Sequence, residues 1–71
     1  MIGQAKIDNW FSYHVPTDAQ IPAFAAINAA AKALVEVIDR HCPDSADKSD
    51  AVRKVREARM TANAAIACGG Q

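Results

Sequence analysis

The chain has 71 residues, so it holds one domain at most, and a core of this size supplies only roughly 3–5 kcal/mol of net stability unaided. Its hydrophobic share is 51%, but much of that is alanine, which buries little area. Formal net charge is zero, which argues against a general DNA binder and against a membrane-surface binder, although Arg53, Lys54, Arg56 and Arg59 crowd the last third against Glu57 alone.

Residues 5–13 read as a short amphipathic helix with Ile7, Trp10 and Phe11 on one side. The simplest use of Trp10 and Phe11 is as core that folds this helix back on the rest. His14-Val15-Pro16 ends it, because a proline pushes its predecessor out of the α region. Thr17 then reads as an N-cap, with Gln20 three residues on completing a capping box. Pro22 has no N–H and is tolerated only in a first turn. A first long helix over about 18–41 stops at Cys42-Pro43. Asp44 or Ser45 caps a second over about 45–67, where Asp47 and Asp50 suit the positive N-terminal end and Gly69-Gly70 is the stop. The predicted fold is all-α: a short N-terminal helix followed by a long antiparallel helical hairpin. No run approaches the roughly 18–20 apolar residues of a membrane span, so no membrane partner is expected. No signal-peptide h-region is visible. Cys42 and Cys68 fall at opposite ends of such a hairpin, about 30 Å apart at 1.5 Å per residue. A disulfide needs Cα atoms within about 7 Å, so reduced thiols and a cytosolic setting are expected.

On the first long helix Phe24, Ile27, Ala31, Leu34, Val35 and Ile38 share a broad arc, and Ala26, Ala29, Ala33 and Val37 cover the adjoining side. Only a narrow polar stripe remains, marked by Asn28, Lys32, Glu36 and Asp39. A helix this apolar around its girth needs more than one partner, so self-association into a homo-oligomer is expected. On the second helix Val52, Val55, Ala58, Ala62 and Ile66 form the stripe, with Arg59 in its middle and Arg56 and Asn63 at its edge. Arg53, Lys54 and Glu57 fall on the far side, where Arg53 and Glu57 can pair. An arginine in an apolar stripe needs a partner. Two readings are open: an ion pair with an acid of another subunit, or an anionic ligand gripped by the guanidinium.

No catalytic group assembles. His14 and His41 stand apart, with no serine or cysteine clearly shared between them. His41, Cys42 and Asp44 form a weak metal-type cluster and read more simply as a surface tip. No Gly-rich phosphate loop is present, and no carboxylate pair is placed in an evident cleft. The chain therefore reads as a binding protein, not an enzyme, with no cofactor or metal, and with its pockets formed between subunits. Tyr13, beside the proline turn, can offer its ring to a nucleobase.

Trp10-Phe11-x-Tyr13-His14-x-Pro16-Thr17-x-x-Gln20, then Ala31-x-x-Leu34, Cys42-Pro43-x-Ser45 and Met60-Thr61-x-Asn63-Ala64-Ala65-Ile66-Ala67 resemble the helical-hairpin domain shared by phage anti-CBASS sponges and the related anti-Thoeris sponges. The likeness covers about residues 9–67 and looks like the short anti-CBASS type. It implies a compact homohexamer in the cytoplasm of the infected bacterial host. Such a hexamer sequesters cyclic nucleotide second messengers without cleaving them, cyclic dinucleotides between subunits and cyclic trinucleotides where subunits meet around a threefold axis. Carried onto this chain, Tyr13 is the residue that stacks on a base. Asn28 falls where relatives often have Arg or Lys, which removes a phosphate-binding cation, and Lys32 one turn along is placed to compensate. Arg56, Arg59 and Asn63, from the stripe analysis, are the candidates for the trinucleotide site. The alternative is a structural or adaptor hairpin that oligomerises or docks on a partner protein.

Overall fold

The computed structural model describes residues 1–71 and contains three helices: α1 (Gln4–Trp10), α2 (Gln20–His41) and α3 (Ala46–Ala67). The two long helices pack against each other as a hairpin. The Thr17 cap forms as a reciprocal box: Thr17 N–H donates to Gln20 Oε1 at 3.0 Å and Gln20 N–H to Thr17 Oγ1 at 3.2 Å. Gln20 also reaches across, its Nε2 donating to the Ile66 carbonyl at 3.2 Å, which ties the start of α2 to the end of α3. Pro22 sits in the first turn, where its missing N–H costs nothing. At the hairpin tip Ser45 Oγ accepts from Lys48 N–H at 3.1 Å, satisfying one orphan donor of α3. Gly69 and Gly70 have φ of 66° and 79°, and Gly70 N–H returns to the Ala65 carbonyl at 2.9 Å, a left-handed stop that a side chain would strain.

The seam of the hairpin is half-buried, with Phe24, Ile27, Ala31, Val35 and Ile38 of α2 facing Val52, Val55, Arg59, Ala62 and Ile66 of α3. No residue of the 71 is fully buried, because each helix can cover only one side of the other. Leu34, expected in the seam, is instead 49% exposed: its position on the helix places it on the flank beside Ala30. The apolar girth of α2 also overturns the expectation about spans, since this 22-residue helix is long and apolar enough to cross a membrane by length and composition alone. Alanine and isoleucine supply most of that hydropathy, while Asn28, Lys32 and Glu36 keep one polar stripe along the helix.

The N-terminal segment departs most from expectation. α1 ends at Trp10, short of residue 13, because the Asn9 carbonyl that would continue it accepts from His14 Nε2 at 2.7 Å and weakly from Ser12 N–H at 3.4 Å. Phe11 is not core but 86% exposed, and Trp10 is only partly covered. Hydrogen bonds hold α1 in place: Asn9 Nδ2 donates to the Cys68 carbonyl at 3.0 Å and Trp10 Nε1 to the Gln71 carbonyl at 2.9 Å. Cys42 and Cys68 are both free thiols.

Arg53 and Glu57 make no ion pair; Lys54 pairs with Asp50 instead, in the i,i+4 order that favours helix. Lys48 bridges the tip, 2.9 Å from both Asp39 and Asp44. The hydrogen bond from Lys48, then its charge, holds the Asp44 carboxyl below its ordinary value of 3.8, and the bonds from Asp44 and Asp39 raise Lys48 above 10.5. The sign follows. The Asp44 contribution to stability is present above pH 3.8 and lost as pH falls through the lowered value, and that of Lys48 is present below 10.5 and lost as pH rises through the raised one. Asp44→Asn is therefore expected to lower the urea midpoint slightly at neutral pH, as an exposed pair does, and to flatten the fall of that midpoint below pH 3.8. Parallel urea titrations of the two proteins between pH 3 and pH 7 check it.

Candidate functional site

The seam leaves a groove on each face of the hairpin, and the two differ in chemistry. One, of about 430 Å³, is mainly apolar, lined by Ile27, Ala30, Leu34, Ala58 and Ala62 with Lys54 and Arg59 beside them. The other, of about 310 Å³, is lined by Asn28, Lys32 and Glu36 from α2 and by Arg56 and Arg59 from α3, with Ala31, Val35 and Val55 as its floor. The four-residue spacing of Asn28, Lys32 and Glu36 puts them on one line along α2, about 6 Å apart at 1.5 Å per residue. The three-residue spacing of Arg56 and Arg59 does the same for α3.

Arg59 stands in the seam itself and lines both grooves. Its Nη1 donates to Asn28 Oδ1 at 3.1 Å, a bond between residues 31 apart that joins the two helices at mid-hairpin. Its Nε is buried and has no partner, and Asn63 Oδ1, one turn further along α3, is likewise buried and unpartnered. A donor and an acceptor left in this state each cost about 1–3 kcal/mol. Lys32, Arg56 and Arg59 form no ion pair with any carboxylate, Glu36 included. The cleft thus presents three free cations and one free carboxylate beside two unmet polar atoms.

Of the sequence candidates, Asn28, Lys32, Arg56 and Arg59 come together in this cleft, although the sequence assigned the first two and the last two to different ligands. Asn63 lies on the same helix outside the lining. Tyr13 is not in the cleft at all; it is 88% exposed on the segment that joins α1 to α2. Glu36 is the lining residue that sequence reasoning passed over, and its signal was the same four-residue step that links Asn28 to Lys32. The structure also brings His14 to Cys68, Nε2 to Sγ at 4.0 Å, a proximity the sequence did not reveal. His14 Nε2 is already engaged with the Asn9 carbonyl at 2.7 Å, so this contact belongs to the docking of α1. His41, Cys42 and Asp44 do not converge as a metal site.

An open polar groove with free cations and unmet hydrogen-bonding atoms has the chemistry that suits an anion. The family model for the Acb2/Tad1 hairpin domain matches residues 3–67, and the chain belongs to this family of anti-CBASS and anti-Thoeris sponges, which sequester their ligands. Comparison with curated proteins and with solved structures returns no match.

If Arg59 is held for a ligand and not for folding, Arg59→Met should be neutral or should raise stability by about 1 kcal/mol, because it removes an unmet buried donor and keeps the aliphatic stem. A loss of that size in a denaturant titration would make Arg59 a structural residue.

Proposed function

We propose that this protein is a phage anti-defence sponge that binds cyclic dinucleotide or trinucleotide immune messengers, or both, and holds them uncleaved, so that CBASS effectors are not activated. Family membership supports the sponge role. The observation that carries the ligand chemistry is the cleft between α2 and α3, where Lys32, Arg56 and Arg59 stand together with no carboxylate paired to any of them. Guanidinium groups grip phosphate oxygens bidentately, and an ammonium adds a point charge. Asn28 supplies no cation of its own, but it bonds to Arg59, so an α3 arginine occupies the space that an α2 cation would otherwise fill. Asn63 Oδ1 and Arg59 Nε offer an acceptor and a donor to sugar or base.

In this reading the working unit is a homo-oligomer, a hexamer by the family resemblance, in the cytoplasm of the infected host. An open groove on one hairpin shields a ligand poorly, and neighbouring copies would close it. Tyr13 lies on a segment outside its own cleft, so it would stack on a base held by another copy. The apolar groove lined by Ile27, Ala30, Leu34, Ala58 and Ala62 gives such neighbours a surface to cover. The messenger is held intact, with neither DNA nor a membrane as partner.

A second reading, a structural or adaptor hairpin, draws on the same apolar groove together with Ile21 and Val37, which are 54% and 43% exposed. Calorimetric titration with a cyclic dinucleotide, a cyclic trinucleotide and a linear dinucleotide separates the two. Tight binding of a cyclic ligand at a simple fraction per subunit, with the ligand recovered intact after heat-denaturing the protein, is the sponge result. Absence of heat for all cyclic ligands leaves the adaptor. Tyr13→Ala should weaken cyclic dinucleotide binding by about 10-fold or more, the stacking contribution of one base, and spare trinucleotides. An equal loss for both would remove Tyr13 from the role of stacker.

A further inference from the structure

Glu36 is out of place in a groove that binds phosphate. It lines the same cleft as Lys32, Arg56 and Arg59, yet it pairs with none of them, nor with Arg40 one turn ahead. Lys32 and Glu36 are i,i+4 neighbours, but with the lysine N-terminal to the glutamate, the order that pairs less well on a helix. Within the hairpin the carboxylate is therefore free of any contact ion pair.

Its place in the cleft is polar in the directional sense. Arg59 is bonded to Asn28 at one end, and Glu36 stands two four-residue steps along α2, about 12 Å away at 1.5 Å per residue. Lys32 stands midway and Arg56 lies on the Glu36 side of Arg59, so a phosphate is attracted to the stretch from Arg59 to Lys32 and repelled by the carboxylate that follows it. A nucleotide that fills the cleft must then turn its base, not its phosphate, toward the carboxylate. A carboxylate has four lone-pair sites and no proton to give at neutral pH. It suits a base edge that presents two N–H donors side by side. Guanine offers its N1–H and its exocyclic amine together. Adenine offers one amine beside an unprotonated ring nitrogen, which a carboxylate repels.

We infer that Glu36 is a specificity-determining residue that makes this cleft prefer guanine-bearing cyclic nucleotides over their adenine counterparts, with the phosphates held by Lys32, Arg56 and Arg59. The inference rests on the sponge reading and deepens it. It also accounts for a groove of mixed sign: the cations supply affinity, and the single acid supplies orientation and base choice.

The test is calorimetric titration of the full chain with matched cyclic dinucleotides of guanosine, inosine and adenosine, and in parallel with the matched cyclic trinucleotides. Inosine keeps the N1–H and lacks the exocyclic amine. In at least one ring size the guanine ligand should bind about 10-fold or more tighter than the adenine ligand, with inosine between them, as for other bidentate base contacts. Glu36→Gln, which offers one acceptor and one donor, should erase or invert that order, because an amide can pair with adenine's amine and ring nitrogen. Guanine and adenine ligands bound within twofold of each other by the unaltered protein would overturn the inference and leave the sponge standing. So would a Glu36→Gln protein that binds every ligand tighter by one common factor, the mark of charge alone. Failure of the unaltered protein to bind any cyclic nucleotide would overturn the sponge reading and this one with it.

Discussion

Two helices laid side by side can shield only one face of each, and the rest of this molecule follows from that constraint. α2 and α3 meet along a single seam, and every residue in it remains at least partly open. The seam has two mouths, and the sequence gives them opposite characters. Ile27, Ala30, Leu34, Ala58 and Ala62 make one apolar. Asn28, Lys32, Glu36, Arg56 and Arg59 make the other polar. The third helix, α1, has seven residues and is tied to the far end by hydrogen bonds, so it covers neither groove.

Arg59 is where the two mouths meet. Its aliphatic stem continues the apolar stripe of α3, and its guanidinium crosses to Asn28. That bond is worth little as stability, because Nε remains buried without a partner and the nearby Asn63 Oδ1 is in the same condition. In a chain with so thin a core, leucine or methionine at this position would leave no buried donor unmet. The compromise is intelligible if the guanidinium serves binding, with its cost in stability accepted.

Net charge concealed this arrangement. The chain is neutral overall, yet Asp39, Asp44 and Asp50 are engaged by Lys48 and Lys54, so the acids near the tip are spent locally. What remains unpaired in the cleft is a local excess of positive charge with a lone carboxylate at one end. Charge placement, and not its sum, decides what such a surface attracts.

Much of the fold was legible in the residues themselves. Thr17 with Gln20, Cys42-Pro43, Ser45 and Gly69-Gly70 are punctuation whose effect is local, since each acts through backbone groups within a few positions of itself. The anomaly at Arg59 was equally visible, because helical periodicity alone places it in the stripe. The end of α1 was not legible: it depends on His14 folding back to the Asn9 carbonyl and on the chain end reaching Trp10. Nor was the cleft. Periodicity assigns residues to a face of one helix but says nothing about which turn of one helix stands beside which turn of the other. Only the packed hairpin, with Arg59 opposite Asn28, set the register that gathers Lys32, Glu36 and Arg56 into one groove and leaves Tyr13 outside it. The sequence by itself determined the elements, because caps, stops and stripes are short-range. The tertiary structure decided the site, because a groove between two helices is a long-range property of their register.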